Sequence, residues 1–416
     1  MEFETDLTPS AQQDPGDEMA FRIRILYTGG TIGCVGRPLA PMSGPEFRDA
    51  FEALIAPAIA QAHPDAVLSL AWLTPALDSS NLQPADWTVI ARHILGAPGE
   101  AIFSEHDAFI VLHGTDTMAW TASALSFLLT GVDANGAPEA PLDKPVILTG
   151  AQRPLFHRDD GGHSVVANTD ALRNLLGAVA CARAGIAGVG LYFNDTLYQG
   201  NRALKTSTAD FNAFSSPNAP PLARLGIRLE TLSAAPGGGL ASGGPASGGP
   251  VSGDALARAQ AQLAHAAKTI DARDVAVVPA SPASAAGPLA AMLEALAESP
   301  RLGGLLLLGY GSGNLPTDRP DDPRAGAVFR ALERAHEAGA VLLAGTQVTA
   351  GRVTAGTYAA GTWLADAGAI SPRDMTVPCA QAKLLVLLAL RDADGRNWTQ
   401  GDIETLMGKP IAGEIR

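Results

Sequence analysis

The sequence predicts an α/β protein with a larger N-terminal domain, a mostly parallel sheet covered by helices, and a second, smaller C-terminal α/β domain. Three observations predict it. Short β-like apolar runs alternate with helix-like segments from Phe21 to about Asn194. A low-complexity stretch, Ser233 to Gly253, then interrupts the pattern with Gly-Gly-Gly and two Ser-Gly-Gly-Pro repeats. Beyond it the α/β rhythm resumes. At 416 residues the chain is long for a single core, which also favours two domains.

Residues 1–20 are acidic and polar, with Pro9, Pro15 and Gly16, and are expected to be a disordered tail. They lack the basic start and apolar core of a secretory signal. Residues 21–232 form the expected N-terminal domain. Its strands are Ile23–Tyr27, Val67–Trp72, Ala108–Leu112, Pro145–Thr149 and Gly188–Phe193. Helical patterns lie at Gly44–Ala58, Pro84–Leu95, Thr115–Leu129 and Val166–Ala184. Pro84 suits a first helical turn, preceded by the turn-like Asp78-Ser79-Ser80-Asn81.

Residues 233–258 read as a Gly/Ser/Pro-rich linker or insertion; within them Ser233–Gly253 cannot bury a core, and its shortening should leave folding intact. The C-terminal domain covers residues 259–416. Its strands lie near Val275–Val278, Leu302–Leu308 and Ala340–Leu343, and its helices at Pro288–Ala297, Pro323–Glu337 and Pro378–Leu390.

Composition narrows the partners. There are 29 basic against 42 acidic side chains, a net charge of -13 that repels nucleic acid phosphates and anionic lipid. Neither nucleic acid nor membrane is an expected partner. The apolar runs Leu302–Leu308 and Leu384–Leu390 are too short to span a bilayer. A cytoplasmic location is expected. Cys34, Cys181 and Cys379 are widely separated and form neither a metal-ligand pattern nor a disulfide framework. Cys34 lies beside one of the motifs described next, yet no His or basic residue adjoins it, so it reads as a packing residue.

Two motifs carry chemistry: Thr28-Gly29-Gly30-Thr31-Ile32-Gly33 and His113-Gly114-Thr115-Asp116-Thr117-Met118. Each follows a strand and so delivers a threonine to the C-terminal edge of the sheet, where open α/β sheets present their sites. Two hydroxyls, one followed by a carboxylate, point to nucleophilic attack on a carbonyl. An alcohol needs a base, and a lysine serves only if burial or a cationic neighbour lowers its pKa. Gly29 and Gly30 permit a tight turn whose N–H groups would suit an oxyanion. Each residue also has a plainer use. Thr31 and Thr115 could cap helices, Asp78 could cap a turn, and Lys205 could be a solvated surface lysine. Asn314 lies in ordinary turn sequence, and His113 reads as a packed, hydrogen-bonded histidine rather than an acid or base.

The two motifs, in this order and spacing, resemble the bacterial-type L-asparaginase family (asparaginase/glutaminase), closer to its cytoplasmic type I form. Further segments carry the same resemblance: Ala76-Leu77-Asp78-Ser79-Ser80-Asn81 with Pro84-Ala85-Asp86-Trp87, Gly150-Ala151-Gln152-Arg153-Pro154, and Asn194-Asp195-Thr196 with Lys205-Thr206-Ser207-Thr208. In the C-terminal half they are Gly309-Tyr310-Gly311-Ser312-Gly313-Asn314-Leu315 and Asp374-Met375-Thr376-Val377. The resemblance implies Thr31 as nucleophile, with Thr115, Asp116 and Lys205 as a second catalytic group that moves protons and activates water. Asp78, Ser79 and Asp116 would bind the substrate, and Asn314 would be contributed by a neighbouring subunit. No cofactor or metal is implied. A homodimer or homotetramer is.

Two departures stand out. The family's lid tyrosine falls at Leu39, within Gly36-Arg37-Pro38-Leu39-Ala40-Pro41-Met42-Ser43-Gly44, and Tyr27 belongs to the preceding strand. Pro378 stands where type I relatives usually carry an acidic residue. The expected function is hydrolysis of L-asparagine to L-aspartate and ammonia through an acyl-threonine ester. The alternatives are a dual asparaginase-glutaminase, or a non-catalytic amino-acid-binding relative, given Leu39. An asparaginase-like amidotransferase subunit would need an RNA-binding extension. A dinucleotide-binding oxidoreductase would need the full Gly-x-Gly-x-x-Gly spacing.

Overall fold

A computed structural model of the chain describes residues 2–6, 20–140, 142–233, 251–284, 287–353 and 359–416. The fold divides into two units, Met1–Val132 with Pro138–Ala264, and Asp133–Ala137 with His265–Arg416.

Among the described residues of the first unit, nine strands form one sheet. They are β1 (Glu2–Asp6), β2 (Phe21–Gly29), β3 (Ala66–Leu77), β4 (Ala108–Leu112), β5 (Pro145–Thr149), β6 (Gly188–Phe193), β7 (Thr196–Gln199), β8 (Ala223–Leu225) and β9 (Leu229–Thr231), in the order β1-β3-β2-β4-β5-β6-β7-β8-β9. The central five, β3-β2-β4-β5-β6, are parallel, and antiparallel strands flank them on both sides. Every residue of β4 and β5 is buried, the mark of a parallel sheet covered on both faces. Ile23, Ile25 and Tyr27 of β2, Ile110 and Leu112 of β4 and Ile147 of β5 share one core cluster with Phe47, Phe51, Leu175, Ala178 and Ala182. The period-two spacing of these strand residues is what sends them to one face.

The expected disordered tail is corrected at Glu2–Asp6. This segment pairs with the free edge of β3, from Glu2↔Thr74 to Asp6↔Leu70. An exposed strand edge is a ready template, and Glu-Phe-Glu-Thr-Asp has the alternation to use it. Residues 7–19 lie outside the described residues.

Helices α1 (Gly44–Leu54) and α2 (Ala56–Ala62) replace the single helix expected over residues 44–58. Pro57 lacks an N–H and its ring obstructs the carbonyl four residues back, so the chain restarts at Ile55. Helix α3 (Pro84–Leu95) matches its expected bounds, fixed by Pro84 and by the Asp86 carboxylate accepting the Gln83 N–H at 2.8 Å. Helix α4 (Met118–Leu128) begins later than expected because residues 115–117 form a turn. Helix α5 (Ala171–Arg183) packs on the face that carries Ile110 and Ile147. Helix α6 (Gly253–Thr269) starts inside the stretch expected to be linker, whose residues 234–250 lie outside the described residues.

The second unit has a parallel three-stranded sheet in the order β10 (Asp274–Pro279), β11 (Leu302–Gly309), β12 (Val341–Thr346). Helices α7 (Pro288–Ala297), α8 (Ala327–Glu337), α9 (Val377–Ala389) and α10 (Gln400–Met407) accompany it. Pro378 sits in the first turn of α9, where a missing N–H costs nothing, and Thr376 caps that helix by accepting the Cys379 N–H at 3.3 Å. Fully buried Lys383 of α9 meets fully buried Glu414 at 2.6 Å.

Candidate active site

Three turns meet at the C-terminal edge of the parallel strands. The first follows β2, where Gly29 (φ 110°) and Gly30 (φ 77°) take left-handed conformations. A Cβ on Gly29 would stand 2.2 Å from the Leu77 carbonyl oxygen, and one on Gly30 would stand 2.3 Å from Gly114 Cα. A Cβ on Gly114 would in turn stand 2.4 Å from Ser79 Oγ. The turn carrying Thr31 is thus packed backbone to backbone on Leu77 and on Gly114, and Gly114 in turn lies against the Ser79 side chain, a closeness that only glycine allows.

Hydrogen bonds lock the same contacts. Gly30 N–H donates to Leu77 O at 2.9 Å, Thr28 Oγ1 to Leu112 O at 3.0 Å, and Thr117 Oγ1 to Ser79 O at 2.7 Å. The Gly30 N–H is therefore committed to structure. The expectation that it would be free for an oxyanion is corrected.

Thr31 opens a single 3-10 turn, Thr31–Gly33, and is half-buried. Its hydroxyl makes no hydrogen bond among the described residues, and the cap position belongs to Gly30. Thr115 does not cap α4 either: Thr117 holds that position. The helix-capping use of both threonines is thereby removed.

Thr115 is buried, and its hydroxyl accepts a hydrogen bond from Lys205 Nζ at 2.8 Å. The same ammonium donates to Asp116 Oδ1 at 2.7 Å. Lys205 comes from a short strand pair, Leu204–Lys205 with Phe214–Ser215, and is itself mostly buried. Asp116 is open on its other side, with a side chain 61% exposed, so a carboxylate faces solvent next to a buried lysine and threonine. Ser79 is buried, and Asp78 is exposed and accepts both the Ser80 N–H and the Ser80 hydroxyl at 3.0 Å through Oδ1. Asp78 does cap a 3-10 turn, Ser79–Asn81, while its Oδ2 has no partner among the described residues. Asn314 belongs to the second unit. There it closes the turn after β11, with Tyr310 N–H donating to Asn314 O at 2.8 Å and Asn314 N–H to Tyr310 O at 2.9 Å.

The neighbouring side chains are quiet. Burial pushes the Cys34 thiol up to about 11, with Asp78 adding to it, so a reactive thiolate is disfavoured and Cys34 packs. Tyr27 is fully buried, stacked on Phe47 at 3.9 Å, and burial raises its phenol far above the ordinary range. It is no stand-in for a lid tyrosine. Leu39 lies on the turn of the Cys34–Val35/Ala40–Pro41 hairpin and is exposed. His113 is fully buried, and burial brings its imidazole down to about 4, so it is neutral.

Two support residues, Asp170 and Asn174, escaped the sequence reading. Asp170 accepts the Gln152 and Arg153 N–H groups at 2.9 and 3.0 Å, and Asn174 of α5 ties Gly150 O to Asn194 N at 2.9 and 3.0 Å. Gln152 Nε2 reaches Asp210 O at 3.1 Å, bracing the loop beyond Lys205. Of these only Asn174 carries a sequence signal, a polar residue on an otherwise apolar helix face. Among the described residues no cluster of three or more His, Cys, Asp or Glu could hold a metal ion.

Paired threonine turns, one backed by lysine and carboxylate on a parallel sheet edge, define a threonine-based site on a two-unit α/β fold. The chain belongs to the asparaginase family: residues 22–236 match the "Asparaginase, N-terminal" model and residues 274–397 the "Glutaminase/Asparaginase C-terminal domain" model. It is 35% identical over 370 residues to L-asparaginase 1 of Escherichia coli K12, covering 88% of this chain and 91% of that protein. Among solved structures it is similar to L-asparaginase I of Vibrio cholerae, with a TM-score of 0.69, 32% identity, and coverage of 95% of this chain and 99% of that one. The thermostable L-asparaginase of Thermococcus kodakarensis gives a TM-score of 0.68 at 26% identity, with the same coverage.

Proposed function

We propose that this protein is an amidohydrolase that converts L-asparagine to L-aspartate and ammonia. The observation that carries the reading is Lys205 Nζ bridging Thr115 Oγ1 and Asp116 Oδ1, at 2.8 and 2.7 Å, beside the uncommitted hydroxyl of Thr31. Thr31 Oγ attacks the side-chain amide carbon, the C–N bond breaks, and ammonia leaves with the hydroxyl proton. A water then attacks the ester, the C–Oγ bond breaks, and aspartate departs as Thr31 regains its proton. Thr115, Lys205 and Asp116 hold and relay the protons and position that water.

Asp78, Ser79 and Asp116 recognise the α-amino and α-carboxylate groups. The exposed face of Asp116 and the free Oδ2 of Asp78 suit an ammonium. Asn314 serves the site of a neighbouring copy in a homodimer or homotetramer. Glutamine, one methylene longer, is the rival substrate, and a methylene alone discriminates by only about 1–3 kcal/mol. The location is cytoplasmic; no described helix is long and apolar enough to cross a membrane.

The test is ammonia release from asparagine and, separately, glutamine by the wild type and by Thr31→Ala and Thr115→Ala. Release that both substitutions abolish supports the acyl-threonine enzyme and makes the lid tyrosine dispensable. No release from either amide by folded wild type, with retained amino-acid binding, would instead establish the non-catalytic relative and make Leu39 decisive.

A further inference from the structure

We infer that His113 is a positioning residue that fixes the Gly114–Thr115 peptide so that the Thr115 N–H faces the reacting carbonyl oxygen. The inference rests on the amidohydrolase reading above. His113 Nδ1 lies 2.7 Å from Gly114 O, and its Nε2 lies 2.9 Å from Thr121 Oγ1. A carbonyl only accepts, so Nδ1 carries the proton, and Nε2 accepts from the Thr121 hydroxyl on α4. Both ring nitrogens are thus assigned by their partners. The backbone is anchored as well, with His113 N–H donating to Thr149 O at 2.9 Å.

The consequence falls one peptide further on. In a trans peptide the C=O and the following N–H point to opposite sides. Because His113 holds the Gly114 carbonyl inward, the Thr115 N–H is turned away from the histidine. That N–H has no hydrogen-bond partner among the described residues, unlike the Gly30 N–H, which Leu77 takes. It sits on the residue whose hydroxyl Lys205 binds. An unpartnered amide at that place is the donor an oxyanion needs.

Gly114 makes the clamp necessary. The residue must be glycine, because a Cβ would stand 2.4 Å from Ser79 Oγ. Glycine, however, leaves its peptide plane free to rotate. The neighbouring imidazole supplies the rigidity that the close contact removed, and it does so without changing its own protonation during turnover.

The test measures kcat and KM for asparagine with wild type, His113→Asn, His113→Gln and Thr121→Val, with Thr31→Ala as the inactive control. The Asn amide nitrogen reaches the Nδ1 position and keeps the bond to Gly114, so kcat should stay within about threefold of wild type. Gln reaches towards Nε2 instead and should lower kcat by about 10- to 100-fold with KM changed by less than about threefold. Circular dichroism and melting report whether each variant folds. If the Gln variant does not fold, Thr121→Val carries the test. It leaves the ring in place but removes the hydroxyl that holds Nε2, so the ring is steadied from one side only, and should lower kcat several-fold at unchanged KM. An unimpaired Gln variant, an equal loss in Asn and Gln, a loss confined to KM, or an unaffected Thr121→Val would each overturn the inference. An inactive, folded wild type would overturn the underlying reading and this inference with it.

Discussion

Gly30 and Gly114 touch through their backbones: a Cβ on Gly30 would lie 2.3 Å from Gly114 Cα and 2.4 Å from Gly114 N. The two threonine turns, 84 residues apart in the chain (31 to 115), are one rigid object at this point. The distance between Thr31 and Thr115 is set here rather than by their own side chains.

Gly30→Ala should therefore damage both stability and turnover. Its φ of 77° alone costs a non-glycine residue about 1–3 kcal/mol, and the clash with Gly114 adds to it. A lower melting temperature, with ammonia release reduced by about 100-fold or more in the protein that still folds, is the expected result. Wild-type activity would show that the turns can separate without cost.

Lys205→Met should fold and bind amino acid but lose about 10²- to 10⁴-fold in kcat, since it removes the group that holds Thr115 Oγ1. Lys205→Arg should not rescue it. The larger, planar guanidinium does not fit the mostly buried position from which the ammonium reaches Thr115 Oγ1 and Asp116 Oδ1. Steady-state kinetics on both variants decides this.

Acid should destabilise the protein partly through His113. Its folded-state pKa is lowered from 6.5 to about 4, so the unfolded chain binds a proton that the native state refuses. The sign follows: stability is full above pH 6.5 and falls as pH drops towards about 4, by about 3 kcal/mol from this one group. His93, also lowered to about 4 by burial and by Arg24 and Arg92, adds a loss of the same sign. Denaturant unfolding of His113→Asn at pH 7 and pH 4.5 should show a smaller acid loss than wild type.

Glu414→Ala should unfold the second unit first. It strips a fully buried lysine of its counter-charge at 2.6 Å and frees the N–H groups of Ile411 and Ala412 that the carboxylate accepts. Breaking a buried pair from one side costs about 3–5 kcal/mol. Calorimetry that resolves the two units checks both the size and the order.

Much of this was legible in the chain. The apolar runs at 108–112, 145–149 and 188–193 marked strands β4, β5 and β6 to the residue, because a strand buried on both faces is apolar throughout and has sharp polar or glycine borders. Pro84 fixed the start of α3 in the same way. The candidate site was legible in two ways: Thr31, Thr115 and Asp116 by type and by their place after a strand, and Lys205, Asp78, Ser79 and Asn314 only through the family resemblance. Edge pairing was not legible. Nothing within Glu2–Asp6 names its partner Leu70–Thr74, and the short strands β7 to β9 lean on one another rather than on any local pattern.

The sequence by itself determined the alternation of the central strands and helices, the two-domain plan and which side chains bring hydroxyl, carboxylate and ammonium groups, because periodicity, turn residues and functional groups are local properties. Only the tertiary structure decided which of those groups meet. It placed Lys205 on Thr115 across 90 residues, committed the Gly30 N–H to Leu77 and left the Thr115 N–H free, and it turned His113 into a neutral clamp. The physical reason is that hydrogen-bond commitment and desolvation belong to surroundings drawn from distant parts of the chain, and no short window contains them.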